Sequence, residues 1–157
     1  MIIEALVDKA KSFLSEDMEI NINNTTIVDN SPDNLPLLDY TSMIGTGGTL
    51  NIMVVITFEK NFLATLAELF MDGEEIIDEE KEEVYDSVSG ETINTIIGLA
   101  IPNFPDNGTG ITITPPIGIS DASTIKKYKN SKIITANIQT QFGNLSISAM
   151  GSVESIK

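Results

Sequence analysis

The chain is 157 residues long, with 9 basic residues, all lysine, against 23 Asp and Glu, for a formal charge of −14. It contains no Arg, His, Cys or Trp; that excludes Ser-His-Asp and Cys-His nucleophiles, zinc held by Cys and His, disulfides and guanidinium clamps. Such a charge repels nucleic acids and anionic membranes, so neither is an expected partner, and the available chemistry is that of carboxylates, amides, hydroxyls, lysines and backbone.

This length predicts a single domain over residues 1–157, large enough to bury a core. The N-terminus lacks the basic and long apolar regions of a secretory signal. No apolar run approaches the roughly 20 residues of a membrane span. A cytoplasmic protein without membrane insertion is therefore expected. Ile2, Ile3, Leu6, Val7, Ala10, Phe13 and Leu14 recur at helical spacing and predict an amphipathic helix over 2–15. From 18 to 28, Met18, Ile20, Ile22 and Ile27-Val28 alternate with polar residues, as in a half-buried strand. Residues 29–34 are turn chemistry. Strands near 37–45 and 49–58, joined through Gly45-Thr46-Gly47-Gly48, predict a hairpin.

Helical spacing returns at Phe62, Leu63, Leu66, Leu69 and Phe70, with a stop near Gly73. An acidic stretch, Glu74 to Glu83, leads into a second helix ending near Ala100. A loop over 103–110 precedes strands near 111–114, 131–141 and 144–153. Strand, hairpin, helix pair and a strand-rich end predict an α+β fold, a mostly antiparallel sheet with helices packed on it.

The helix at 84–100 carries the chemical signal. At about 100° per residue, with Glu91 at zero, Ser87 lies near −40°, Asn94 near −60° and Gly98 near −20°. Tyr85, Ser89, Ile93, Ile96, Ile97 and Ala100 gather on the opposite face, at about 190°. Val84 and Val88 border the polar stripe, as at a protein-binding surface. Gly98 costs about 1 kcal/mol of helix stability relative to Ala, which close approach of another backbone or a partner would offset. From periodicity alone, Glu and Asn three residues apart on a solvated face are ordinary.

The string adds more. Ser87-x3-Glu91-x2-Asn94, then Gly98 and later Pro115-Pro116, resembles the motif of the CheC/CheX/FliY chemotaxis phosphatases. That motif reads Asp or Ser, three residues, Glu, two residues, Asn, and a more distant proline. Here 20 and 21 residues separate Asn94 from Pro115 and Pro116, one or two fewer than in the family pattern. The order of elements is similar across nearly the whole chain, including the Ile44–Gly48 turn, the Phe62–Phe70 helix and the Phe142-Gly143-Asn144-Leu145 hairpin. The first helix holds no matching motif, so the chain looks like the single-site CheX branch.

The resemblance implies a CheC-like fold and hydrolysis of the aspartyl phosphate on a CheY-like response-regulator receiver domain. Asn94 would hold the attacking water, and Glu91 would pair with the receiver's lysine. Ser87, Gly98, Val84 and Val88 would contact the partner. The chain would need no cofactor of its own, with Mg²⁺ on the partner receiver. Relatives of this type are dimers paired through sheet edges, which implies a homodimer. A non-catalytic module of the same fold, docking to a receiver or a flagellar-switch component, is the alternative.

Other features read as solvated surface. Residues 72–91 hold ten acids and one lysine, without the spacing of a calcium loop, and suit a helix N-terminus. Lys126, Lys127, Lys129 and Lys132 form a small basic loop. Gly45-x-Gly47-Gly48 lies between strands, where a phosphate loop is not expected.

Overall fold

The computed structural model describes residues 2–30, 35, 37–119 and 131–156. In chain order the elements are α1 (Ile2–Ser12), β1 (Ile22–Asn30), β2 (Tyr40–Gly48), β3 (Ile52–Phe58), α2 (Lys60–Phe70) and α3 (Lys81–Ala100). They are followed by β4 (Ile111–Ile113), β5 (Ile117–Gly118), β6 (Ser131–Thr140) and β7 (Gly143–Ser152). These strands form one sheet in the order β1-β6-β7-β3-β2-β4, and β5 also pairs with β2. Every pairing is antiparallel. This is the α+β architecture that the order of elements predicts.

The two-residue period of the strands divides the apolar residues between two faces. Ile52, Val54, Ile56 and Phe58 of β3 join Leu145, Ile147 and Ala149 of β7 in the core beneath the helices. Val55, Ile133 and Met150 point the other way and form a second, smaller cluster with Met43 and Met53. The apolar run Ile52–Ile56 thus belongs to a central strand that carries apolar residues on both faces. Leu6, Leu63, Leu66, Ile93 and Ile96 seal the helix side, each at most 1% exposed. Burying such a side chain stabilises the fold by about 1.5–3 kcal/mol.

The helices α1 and α2 flank α3, which lies over β2 and β3. Gly48 adopts a positive φ of 79°, and a Cβ there would run into the carbonyl oxygen of Gly110. This crossing lets the end of β2 pair with β4, Thr46 opposite Ile113 and Gly48 opposite Ile111. The Gly-rich segment is therefore the end of β2 itself and not a turn between strands as expected; the hairpin turns over residues 49–51.

Some expectations shift. The first helix ends at Ser12 and passes into a wider turn over Phe13–Asp17. The first strand begins at Ile22, so Met18 and Ile20 belong to the connection, where Ile20 is buried. Ile27 and Val28 are 49% and 42% exposed, because β1 is an edge strand and not a half-buried one. Lys132 lies in β6, paired with Asp29 at 3.3 Å, and not in a loop. Lys126, Lys127 and Lys129, and the turn at 31–34, lie outside the described residues. The two-residue strand β5 follows Pro115-Pro116, where no strand is expected from the sequence.

Candidate functional site

One helix carries the site, and its buried side fixes its rotation. Tyr85, Ser89, Ile93, Ile96, Ile97 and Ala100 are all buried, as the wheel predicts. The Ser89 and Ser42 hydroxyls meet at 2.7 Å in the interface with β2. Tyr40 packs edge-on against Tyr85, with ring centroids 5.5 Å apart, and donates a 2.6 Å hydrogen bond to Glu82. Burial, and then the hydrogen bond and charge of Glu82, push the Tyr40 phenol well above its ordinary range. It therefore stays a donor at physiological pH. Ser89→Ala is expected to cost about 1–3 kcal/mol in denaturant unfolding, because it leaves a buried hydroxyl unpartnered. The Ser42→Ala/Ser89→Ala pair is expected to recover part of that loss.

With that side anchored, Ser87, Glu91, Asn94 and Gly98 are all exposed, along one line. The Glu91 carboxylate makes no hydrogen bond to the Ser87 hydroxyl among the described residues, so the stripe shows no assembled nucleophile–base pair. Its side chains can orient a water and meet a cation on a body that docks there. Val84 is half-buried, whereas Val88 is only 5% exposed and packs in the core. Val88 therefore offers a partner a floor and little more.

The stripe's N-terminal half is a ridge between two hollows. On one side, about 540 Å³ is floored by Phe70, Met71, Val84 and Val88, with Glu80, Glu83 and Glu91 at its edge. On the other, about 740 Å³ lies between α3 and the β2 edge, bounded by Asp39, Tyr40, Glu82, Asp86, Glu91 and Pro116. Both hollows share Ser87 and Glu91, and neither has a lysine in its lining. Lys81, the one lysine of α3, is held by Asp78 at 2.8 Å. Their hydrogen bond lowers the Asp78 carboxyl and raises the Lys81 ammonium. Among the described residues, no three acidic side chains converge as a metal site would require.

Proline and glycine occupy different roles here. Pro116 rests against Gly90, whose added Cβ would lie 3.4 Å from the Pro116 ring. That contact seats the 114–119 segment beside Glu91, with the Thr114 and Ile119 amides bonded to the Gly45 and Thr41 carbonyls of β2. Gly98 is the reverse case, since nothing lies within 4 Å of a Cβ built there. No contact inside the described chain offsets its cost, so Gly98→Ala is expected to stabilise the chain by about 0.5–1 kcal/mol in thermal unfolding. The helix runs to Ala100, and Pro102 sits in the short turn Ile101–Asn103 beyond it. The prolines thus leave the stripe intact. Sequence reasoning missed Tyr40, Glu82, Asp86 and Gly90; only the Gly in a helical pattern signalled a close neighbour.

Three comparisons bear on this arrangement. The family model of chemotaxis phosphatase CheX matches residues 40–139, a span that holds the whole stripe and Pro116. No curated protein matches the chain. Among solved structures, a chemotaxis protein CheX from Desulfovibrio desulfuricans is similar, with a TM-score of 0.74 and 22% identity. That match covers 94% of this chain and 97% of the other. CheX from Vibrio vulnificus superposes with a TM-score of 0.76 at 20% identity over 94% and 97% of the two chains. A CheX from Borrelia burgdorferi, solved as a CheX-CheY-BeF3-Mg²⁺ complex, gives a TM-score of 0.71 at 19% identity over 96% and 97%. With most of its length matched by the family model and its fold shared with these structures, the chain belongs to the CheX family of chemotaxis phosphatases.

Proposed function

We propose that this chain hydrolyses the aspartyl phosphate of a CheY-like receiver domain. The observation that carries the reading is the rigidly mounted, exposed line of Ser87, Glu91 and Asn94 on α3, in a chain of the CheX family. The Borrelia relative in complex with CheY supports the choice of partner.

Phosphoryl transfer needs an in-line water and charge balance at the equatorial oxygens more than it needs covalent help. The receiver brings the phosphoaspartate, a lysine and Mg²⁺, which supplies positive charge at the phosphoryl oxygens. Asn94 accepts one hydrogen of the attacking water and donates its own amide N–H, thereby fixing the water's direction. Glu91, one helical turn away, pairs with the receiver's lysine and sets the depth at which Asn94 enters. Ser87 makes a contact at the margin. Gly98 admits close approach of the receiver's backbone, so Gly98→Ala is expected to weaken docking while it stabilises the free chain.

The proposal extends to a homodimer. Among the described residues no strand pairs with the outer edge of β1, which carries exposed Ile27 and Val28, a surface suited to strand pairing. Light scattering is expected to give twice the 17.0 kDa of one chain; a mass near a single chain contradicts the dimer. The catalytic reading is tested by following phosphate release from a phosphorylated receiver with Mg²⁺ present. Binding without faster release selects the non-catalytic module instead.

A further inference from the structure

The hollow between the end of α2 and the start of α3 has an apolar floor and an edge of one sign. Met71 is 37% exposed, and Phe70 and Val84 are half-buried, so the floor is open to a side chain from outside. Glu80, Glu83 and Glu91 stand around it without an ion pair among the described residues, and Lys81 is occupied by Asp78. Carboxylates set this close to apolar surface repel one another, and nothing in the lining balances them. An occupant that buries the floor must bring cations to the edge, since closing the hollow removes water from those carboxylates.

The hollow is also continuous with the catalytic stripe, because Ser87 and Glu91 belong to both. On the wheel, Val84 falls within about 20° of Glu91, and Glu80 immediately precedes the helix. A body seated deeply enough for Asn94 to act therefore overhangs the hollow as well. We propose that the hollow docks a segment of the receiver in which an apolar side chain is flanked by lysine or arginine. The proposal rests on the receiver-phosphatase reading and adds a specificity surface to it. The line of Glu91 and Asn94 performs the chemistry, and the hollow selects which receiver is brought to it.

The test uses the full chain and a panel of receiver domains from the source organism, each activated with beryllofluoride and Mg²⁺. Glu80→Lys/Glu83→Lys reverses the edge of the hollow. Glu74→Lys/Glu75→Lys makes the same change of net charge at exposed acids outside the lining. The first pair is expected to weaken binding of the cognate receiver about tenfold or more and to flatten its salt dependence. The second is expected to change binding less than about twofold. Met71→Ser is expected to weaken binding about threefold without altering the salt dependence. Equal losses from both pairs, or none from either, overturn the proposal. Accelerated phosphate release by the wild-type chain, with loss in Asn94→Ala, shows whether the phosphatase reading itself survives that outcome. If no receiver binds the wild-type chain, both fail together.

Discussion

Asn94→Ala is expected to slow release of phosphate from a phosphorylated receiver by at least about 100-fold, the scale of a lost positioning contact on a reacting water. The loss is expected in the rate at saturating receiver, with affinity almost unchanged, because in the proposed mechanism the amide would act on the water and not on the docked surface. The side chain is exposed at the outer face of α3, so folding is expected to change by no more than about 0.5 kcal/mol. Thermal unfolding and the phosphate assay read the two quantities separately. Wild-type release by Asn94→Ala removes this residue from the mechanism.

Glu91→Ala is expected to fail differently. Its carboxylate is exposed in the free chain and shared by both hollows. In the proposed complex its removal would leave the receiver's lysine buried without a counter-charge. Truncating one partner of such a pair costs about 2–5 kcal/mol, so the dissociation constant is expected to rise at least about 30-fold. The rate at saturation is also expected to fall, because in the proposed complex the lysine anchor would set how deeply Asn94 enters. Titration calorimetry with the beryllofluoride-activated receiver, followed by release kinetics, checks both parts. Unchanged affinity contradicts the anchoring role of Glu91.

The division of labour along α3 explains how much was legible in advance. Helical period alone put the isoleucines on one face and Ser87, Glu91, Asn94 and Gly98 on the other, and the burial follows that pattern. The Glu91-x2-Asn94 spacing needed only one helix to become geometry. Contacts between residues far apart in the chain had no such local trace. The Ser42–Ser89 and Tyr40–Glu82 pairs span 47 and 42 residues, and depend on the register of α3 over β2. The seating of Pro116 against Gly90 likewise required the outer edge of β2 to bind β5. Exposed Ile27 and Val28 misled, because alternation shows that a strand has two faces but not whether it lies at an edge.

The acidity has a local counterpart in the structure. Part of the negative charge is gathered at Glu80, Glu82, Glu83, Asp86 and Glu91, around the ridge that would meet the receiver. This placement suits a basic partner surface and speeds encounter at low ionic strength. Raising salt is therefore expected to lower affinity for the receiver more than it lowers the rate at saturation.

The most direct test is the decay of a phosphorylated receiver, followed with Mg²⁺ in the presence and absence of the wild-type chain. The account predicts that catalytic amounts of the chain accelerate the decay at least about tenfold and turn over many receiver molecules. Decay at the receiver's own rate, with the chain bound at saturating concentration, contradicts it.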